Sequence, residues 1–104
     1  MLDKETVREI AFRYTEEVKK VLAPDAVILF GSHVNGKPHE RSDIDIAVII
    51  NDFQGDWLET ASILSSLTRR VSIDIEPHLL DETRDRSGFV GHVIKTGEVI
   101  YKAA

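Results

Sequence analysis

The 104-residue chain has no cysteine, a single tryptophan, a single methionine and three prolines. Without cysteine there is no disulfide framework, no thiolate zinc site and no thiol chemistry, a composition that fits a reducing compartment. Basic residues are also scarce: 13 Lys and Arg face 18 Asp and Glu, for a formal net charge of −5. That balance argues against a free-standing nucleic-acid binder, whose affinity comes mainly from clustered Lys and Arg releasing counterions. Long apolar runs are missing as well. The two longest, Ala26 to Phe30 and Ile44 to Ile50, fall far below the roughly 20 residues of a membrane span, and Asp45 interrupts the second. The chain opens on Leu2-Asp3-Lys4-Glu5 without a signal-peptide core, so a soluble cytoplasmic protein with no membrane partner is expected. No repeat or low-complexity tract divides residues 1–104, which are read as a single domain. A chain of this length buries roughly two-thirds of its unfolded surface, enough for a core without cross-links.

What is present alternates between two periods. Val7, Ile10, Ala11, Tyr14, Val18, Val21 and Leu22 lie on one helical stripe that Pro24 stops. Ala26 to Phe30 is a continuous apolar strand running into Gly31-Ser32. After a polar stretch containing Gly36, Lys37 and Pro38, the segment Asp43 to Ile50 reads as a strand with Ile44, Ile46, Val48 and Ile50 on one face. Asp56 caps a helix over Leu58, Ala61, Ile63, Leu64 and Leu67. Val71, Ile73 and Ile75 then alternate with Ser72, Asp74 and Glu76, which predicts a strand ending at Pro77. His78 to Gly88 has no clear period, Phe89 to Ile94 is helical, Gly97 terminates it, and Glu98 to Tyr101 forms a last strand.

The anomaly is three aspartates inside strand-like segments, since strands tend to exclude Asp. Asp43 and Asp45 leave the same strand face with Cα atoms roughly 6.6 Å apart, and Asp74 can join them from a neighbouring strand about 4.8 Å away. Two carboxylates about 5 Å apart repel by roughly 3 kcal/mol at an effective dielectric of 20. Protonating one acid relieves this; so does a divalent cation, and hard oxygen donors suit Mg²⁺. Upstream, Gly31-Ser32 offers close backbone approach, free N–H groups and a hydroxyl, a phosphate-binding geometry.

Gly31-Ser32 followed after ten residues by Asp43-Ile44-Asp45, with a third aspartate in a later strand, resembles the signature of the DNA polymerase beta superfamily of nucleotidyltransferases. The flanking text, Leu29 to Gly36 and Ser42 to Ile49, is similar to the minimal nucleotidyltransferases, the MNT family, commonly encoded beside a HEPN-domain protein. The resemblance implies an α+β nucleotidyltransferase fold, with a mixed sheet of about four strands and helices packed mainly on one face. It implies that Gly31 and Ser32 hold a nucleoside triphosphate together with Asp43 and Asp45. It further implies that Asp43 and Asp45 coordinate two Mg²⁺ ions, and that Asp74 is the third catalytic, metal-holding carboxylate that helps activate the acceptor hydroxyl.

The implied reaction is transfer of AMP from ATP to a hydroxyl, with a tyrosine of a HEPN ribonuclease toxin as acceptor and this chain as antitoxin. The alternative is a non-catalytic antitoxin or interaction module that neutralises its partner by binding. One departure keeps that alternative open: family members commonly carry Arg just before the second glycine, where this chain has Asn35, and neither His33 nor Asn35 replaces a bidentate guanidinium. Lys37 and Arg41 are the nearby cations that offer compensation.

Other residues carry weaker signals. Glu76 shares the expected face of Asp74 and is the alternative third acid, though its place before Pro77 reads as a strand end. His33 reads as a phosphate contact or an exposed loop residue; His39, His78 and His92 have no zinc-ligand spacing. Trp57 reads as a core or interface residue, and Arg69-Arg70 and the Asp81 to Arg86 cluster as solvated surface. A short exposed last strand leaves room for homo- or hetero-oligomers.

Overall fold

The structure is a computed structural model that describes residues 3–31, 34 and 43–104. Helix α1 spans Lys4–Lys19, and its first turn is closed by the Asp3 carboxylate, which accepts from the Thr6 N–H at 2.7 Å. Its stripe of Val7, Ala11, Tyr14 and Val18 is buried; Val21, beyond the end of the helix, is exposed. Strands β1 (Ala26–Phe30) and β2 (Ile44–Ile49) follow, then α2 (Trp57–Leu67), capped by Asp56 accepting from the Glu59 N–H at 3.0 Å. Strand β3 (Ile75–Leu80), α3 (Phe89–Thr96) and β4 (Glu98–Lys102) complete the fold.

The sheet is mixed, in the order β3-β2-β1-β4: β2 runs parallel to β3, while β1 is antiparallel to both β2 and β4. Its period of two divides the molecule. Val27, Leu29, Ile44, Ile46, Val48, Ile75 and Leu79 face α1 and α2 and form the larger core. On the opposite face α3 sets Val90 and Val93 over Ile28, Ala47 and Ile49. Two helices on one side and a short one on the other give the expected α+β architecture.

The third strand departs from the expected one. It begins at Ile75 rather than Val71 and runs through Pro77 to Leu80. Residues 68–70 form a 3₁₀ turn, and the Ser72 hydroxyl accepts from the Asp74 N–H at 3.1 Å, which leaves only the carbonyl of Asp74 to the ladder. Ile73 is consequently 86% exposed. Pro77 is tolerated because β3 is an edge strand. Ladder bonds from Ile44 N–H to the Asp74 carbonyl and from Ile50 N–H to the Leu80 carbonyl turn the even-numbered residues of β3 toward β2, so the Pro77 nitrogen faces the free edge.

Candidate active site

The site lies on the sheet face that α1 and α2 do not cover. Asp45 is the one position of β2 that is not fully buried. Register sets Phe30 of β1 on one side of it and Glu76 of β3 on the other, a row across three strands on one face. His78, two residues beyond Glu76, reaches back so that its Nε2 lies 3.1 Å from Asp45 Oδ1. The imidazole also packs edge-on against Phe30, centroids 5.0 Å apart, and Phe30 packs against Phe89 at 5.9 Å. One donor atom each from Asp45, Glu76 and His78 lie within 4.8 Å of one another; among the described residues no other three acidic or imidazole groups come this close.

Gly31 makes room for this arrangement. Its φ of +87° is a left-handed backbone that side chains disfavour, and a Cβ there would run into the Asp45 carboxylate. Its carbonyl accepts from the Val34 N–H at 3.1 Å, which starts the turn after β1. Asp43 lies exposed just ahead of β2. Hydrogen bonding to the Asp43 carboxyl first, then desolvation and the repulsion of Asp45, holds Glu76 above the usual carboxylate range, while His78 pulls it the other way. Among the described residues no Lys or Arg pairs with these acids. Clustered carboxylates with an imidazole beside them, and no Lys or Arg among the described residues to balance them, fit a divalent metal ion by the chemistry of the donor set.

Gly31, Asp43 and Asp45 are therefore brought to one end of the sheet. Ser32 lies outside the described residues, as do His33, Asn35, Gly36, Lys37 and Arg41. Asp74 stands in the exposed turn before β3, its carbonyl tied to the Ile44 N–H at 2.8 Å, and its carboxylate is not part of the three-residue cluster. It is Glu76, within β3, that the register sets beside Asp45.

Sequence reasoning passed over His78, since its spacing matches no zinc pattern and its partner is reached only across the sheet. It also misplaced Asp81, which is buried rather than solvated. Asp81 accepts from the Phe53 and Asp52 N–H groups and from Thr83, and these bonds, the Thr83 hydroxyl first, pull its carboxyl down to about 2. Trp57 is 38% exposed, packs edge-on to Phe53, and lines a cleft of about 470 Å³ with Leu80, Arg84, Arg86 and Phe89, whose ring packs against Phe30.

The family described as polymerase beta, nucleotidyltransferase, matches residues 13–104. The chain belongs to this family. Among solved structures it is similar to a protein from Sulfolobus solfataricus assigned to the nucleotidyltransferases, at 22% identity and a TM-score of 0.69, covering 95% of this chain and 83% of that one. It is also similar to a chain of a toxin-antitoxin complex with AMP-PNP, at 25% identity and a TM-score of 0.60, covering 88% and 73% of the two chains. A third likeness, at 19% identity and a TM-score of 0.60 over 92% and 73% of the chains, is to a complex of the tri-AMPylated Shewanella oneidensis HEPN toxin with its MNT antitoxin. The expected membership of the polymerase beta nucleotidyltransferases thus holds at the level of family, and the likeness to the MNT protein at the level of fold. A search of curated proteins finds no match.

Proposed function

We propose that this family member transfers AMP from ATP to a protein hydroxyl, a tyrosine of a HEPN toxin partner, and so acts as an antitoxin. The observation that carries the reading is the convergence of Asp45, Glu76 and His78 beside the Gly31 turn, with no Lys or Arg of the described residues to neutralise the acids. The likeness to toxin-antitoxin complexes, one with AMP-PNP and one with an AMPylated toxin, supports the choice of nucleotide and acceptor.

In this reading Asp43 and Asp45 hold two divalent cations, expected to be Mg²⁺, and Gly31 with Ser32 receives the triphosphate. The cations, when bound, neutralise charge on the phosphates and on the attacking and leaving oxygens. The acceptor oxygen attacks the α-phosphorus in line, the bond from that phosphorus to the bridging oxygen breaks, and pyrophosphate leaves. The hydroxyl proton passes to the third carboxylate. The sequence offers Asp74 for that role, and the register favours Glu76, which it pairs with Asp45.

The deciding experiment incubates the chain with ATP, Mg²⁺ and the HEPN partner and weighs the partner. A gain of one or more AMP masses, lost with Asp45→Asn, is expected. An unmodified partner that is nevertheless neutralised would replace this reading with the binding-only one, which the Asn35 position motivates.

A further inference from the structure

His78 is not explained by carboxylate and phosphate chemistry alone. Its ring is fixed from two sides: Phe30 packs on it at 5.0 Å, and Nε2 stops 3.1 Å from Asp45 Oδ1. Neighbouring ligands of a six-coordinate dication with bonds of roughly 2.1 Å are about 3 Å apart, and opposite ones about 4.2 Å. The Asp45 to His78 separation is that of neighbouring ligands. The three donors all lie within 4.8 Å of one another, and Glu76 is exposed. Asp45 and Glu76 are also locked by strand register rather than by a loop, so the spacing of this donor set is a property of the sheet.

We propose that Asp45, Glu76 and His78 form one cation position with a nitrogen ligand, and that this position selects a first-row transition dication over Mg²⁺. The inference rests on the nucleotidyltransferase reading for the presence of cations, and differs from it in the donors and in the metal. Two carboxylates and one imidazole make a mixed oxygen and nitrogen set, and imidazole adds affinity along the transition series while adding little for Mg²⁺. Phe30 and Phe89 serve as the outer support that orients the ring. Asp74, in the turn outside the cluster, is not a ligand of this position.

Co²⁺ and Mg²⁺ are titrated separately into the full chain and its variants, with calorimetry for affinity and the visible Co²⁺ absorption band for the ligand type. His78→Ala is expected to weaken Co²⁺ by about tenfold or more, to leave Mg²⁺ within about twofold, and to shift the visible band. Glu76→Gln weakens both cations; Asp74→Asn weakens neither. His78→Gln, which keeps a polar group near Asp45 without an imidazole nitrogen, repeats the test should the alanine variant fold poorly.

Unchanged Co²⁺ affinity and an unshifted band in the His78 variants overturn the nitrogen ligand, and the broader reading then stands if Asp45→Asn still loses both cations. Equal losses of Co²⁺ and Mg²⁺ also overturn it and make His78 a positioning residue for Asp45. A wild-type chain that binds neither cation overturns both readings.

Discussion

Ile46 and Asp45 are neighbours in the chain and belong to different halves of the molecule. Ile46 is completely buried in the core beneath α1 and α2, whereas the Asp45 carboxylate lies on the far side of the same strand beside Glu76 and His78. The first face is a packing problem solved by volume; the second is an electrostatic problem left open by the chain itself. A site of this kind needs both: the core face fixes the strand register, and the register fixes the distances between donors.

The largest expected effect breaks the quiet half. Ile46→Ala removes a fully buried side chain and costs about 2–5 kcal/mol, which for a domain of this size lowers Tm by roughly 4–8 °C per kcal/mol. One residue away, Asp45→Asn is expected to leave Tm unchanged or higher, because it relieves repulsion. Thermal melts of the two variants make the comparison directly, and a large loss in Asp45→Asn would mean that the acid is structural.

Gly31→Ala joins the two faces. The left-handed backbone alone costs about 1–2 kcal/mol with a Cβ, and the added methyl displaces the Asp45 carboxylate. Lower Tm together with lost cation binding is expected; a lower Tm with intact binding would separate the turn from the site.

Saturating divalent cation sharpens the open face. Binding only to the folded state stabilises by about 1.4 kcal/mol at ten times Kd. Wild-type melts with and without cation, against NaCl at matched ionic strength, should show this shift, and Asp45→Asn should lose it. Equal shifts in both proteins would show that the acids do not act as one site.

A smaller effect returns to the core. The buried Tyr14 hydroxyl donates to the Leu64 carbonyl at 2.7 Å and ties α1 to α2, so Tyr14→Phe costs about 1 kcal/mol at neutral pH. Burial also pushes the phenol above its ordinary value of 10.0. A raised pKa in the folded state means its contribution is complete below that value and is lost as pH rises beyond it. The phenylalanine variant should therefore show a flatter alkaline limb in Tm against pH.

The acids themselves divide in the same way. Asp81 is held down to about 2 from 3.8, by the Thr83 hydroxyl and then by backbone N–H groups, including those of Phe53 and Asp52. A depressed pKa gives stability that is present above 3.8 and is lost as pH falls toward 2. Asp81→Asn removes the charge those N–H and hydroxyl donors hold, so it is expected to lower Tm at neutral pH, by less than Ile46→Ala, and to flatten the acid limb in that window; unfolding with acid that matches wild type would remove Asp81 as the anchor of the loop after β2.

Much of this was legible along the chain because it is local. The stripe of α1, the Asp56 cap, the alternation of β2 and the Gly31 turn depend on residues within a few positions of one another. The third strand was misjudged for a local reason of a different kind: Ser72 competes for the backbone of Asp74, and a proline that would break an interior strand is harmless with its nitrogen on a free edge. Asp74 therefore lies in the turn ahead of β3, and it is Glu76 that pairs with Asp45. His78 and Asp81 were out of reach altogether, since their partners Asp45 and Phe53 lie 33 and 28 residues away in the chain. Periodicity determines which side of a strand a residue takes. Only the parallel pairing of β2 with β3 decides which residue stands opposite it, because that register is set by packing both strands against α1 and α2 and not by either strand alone.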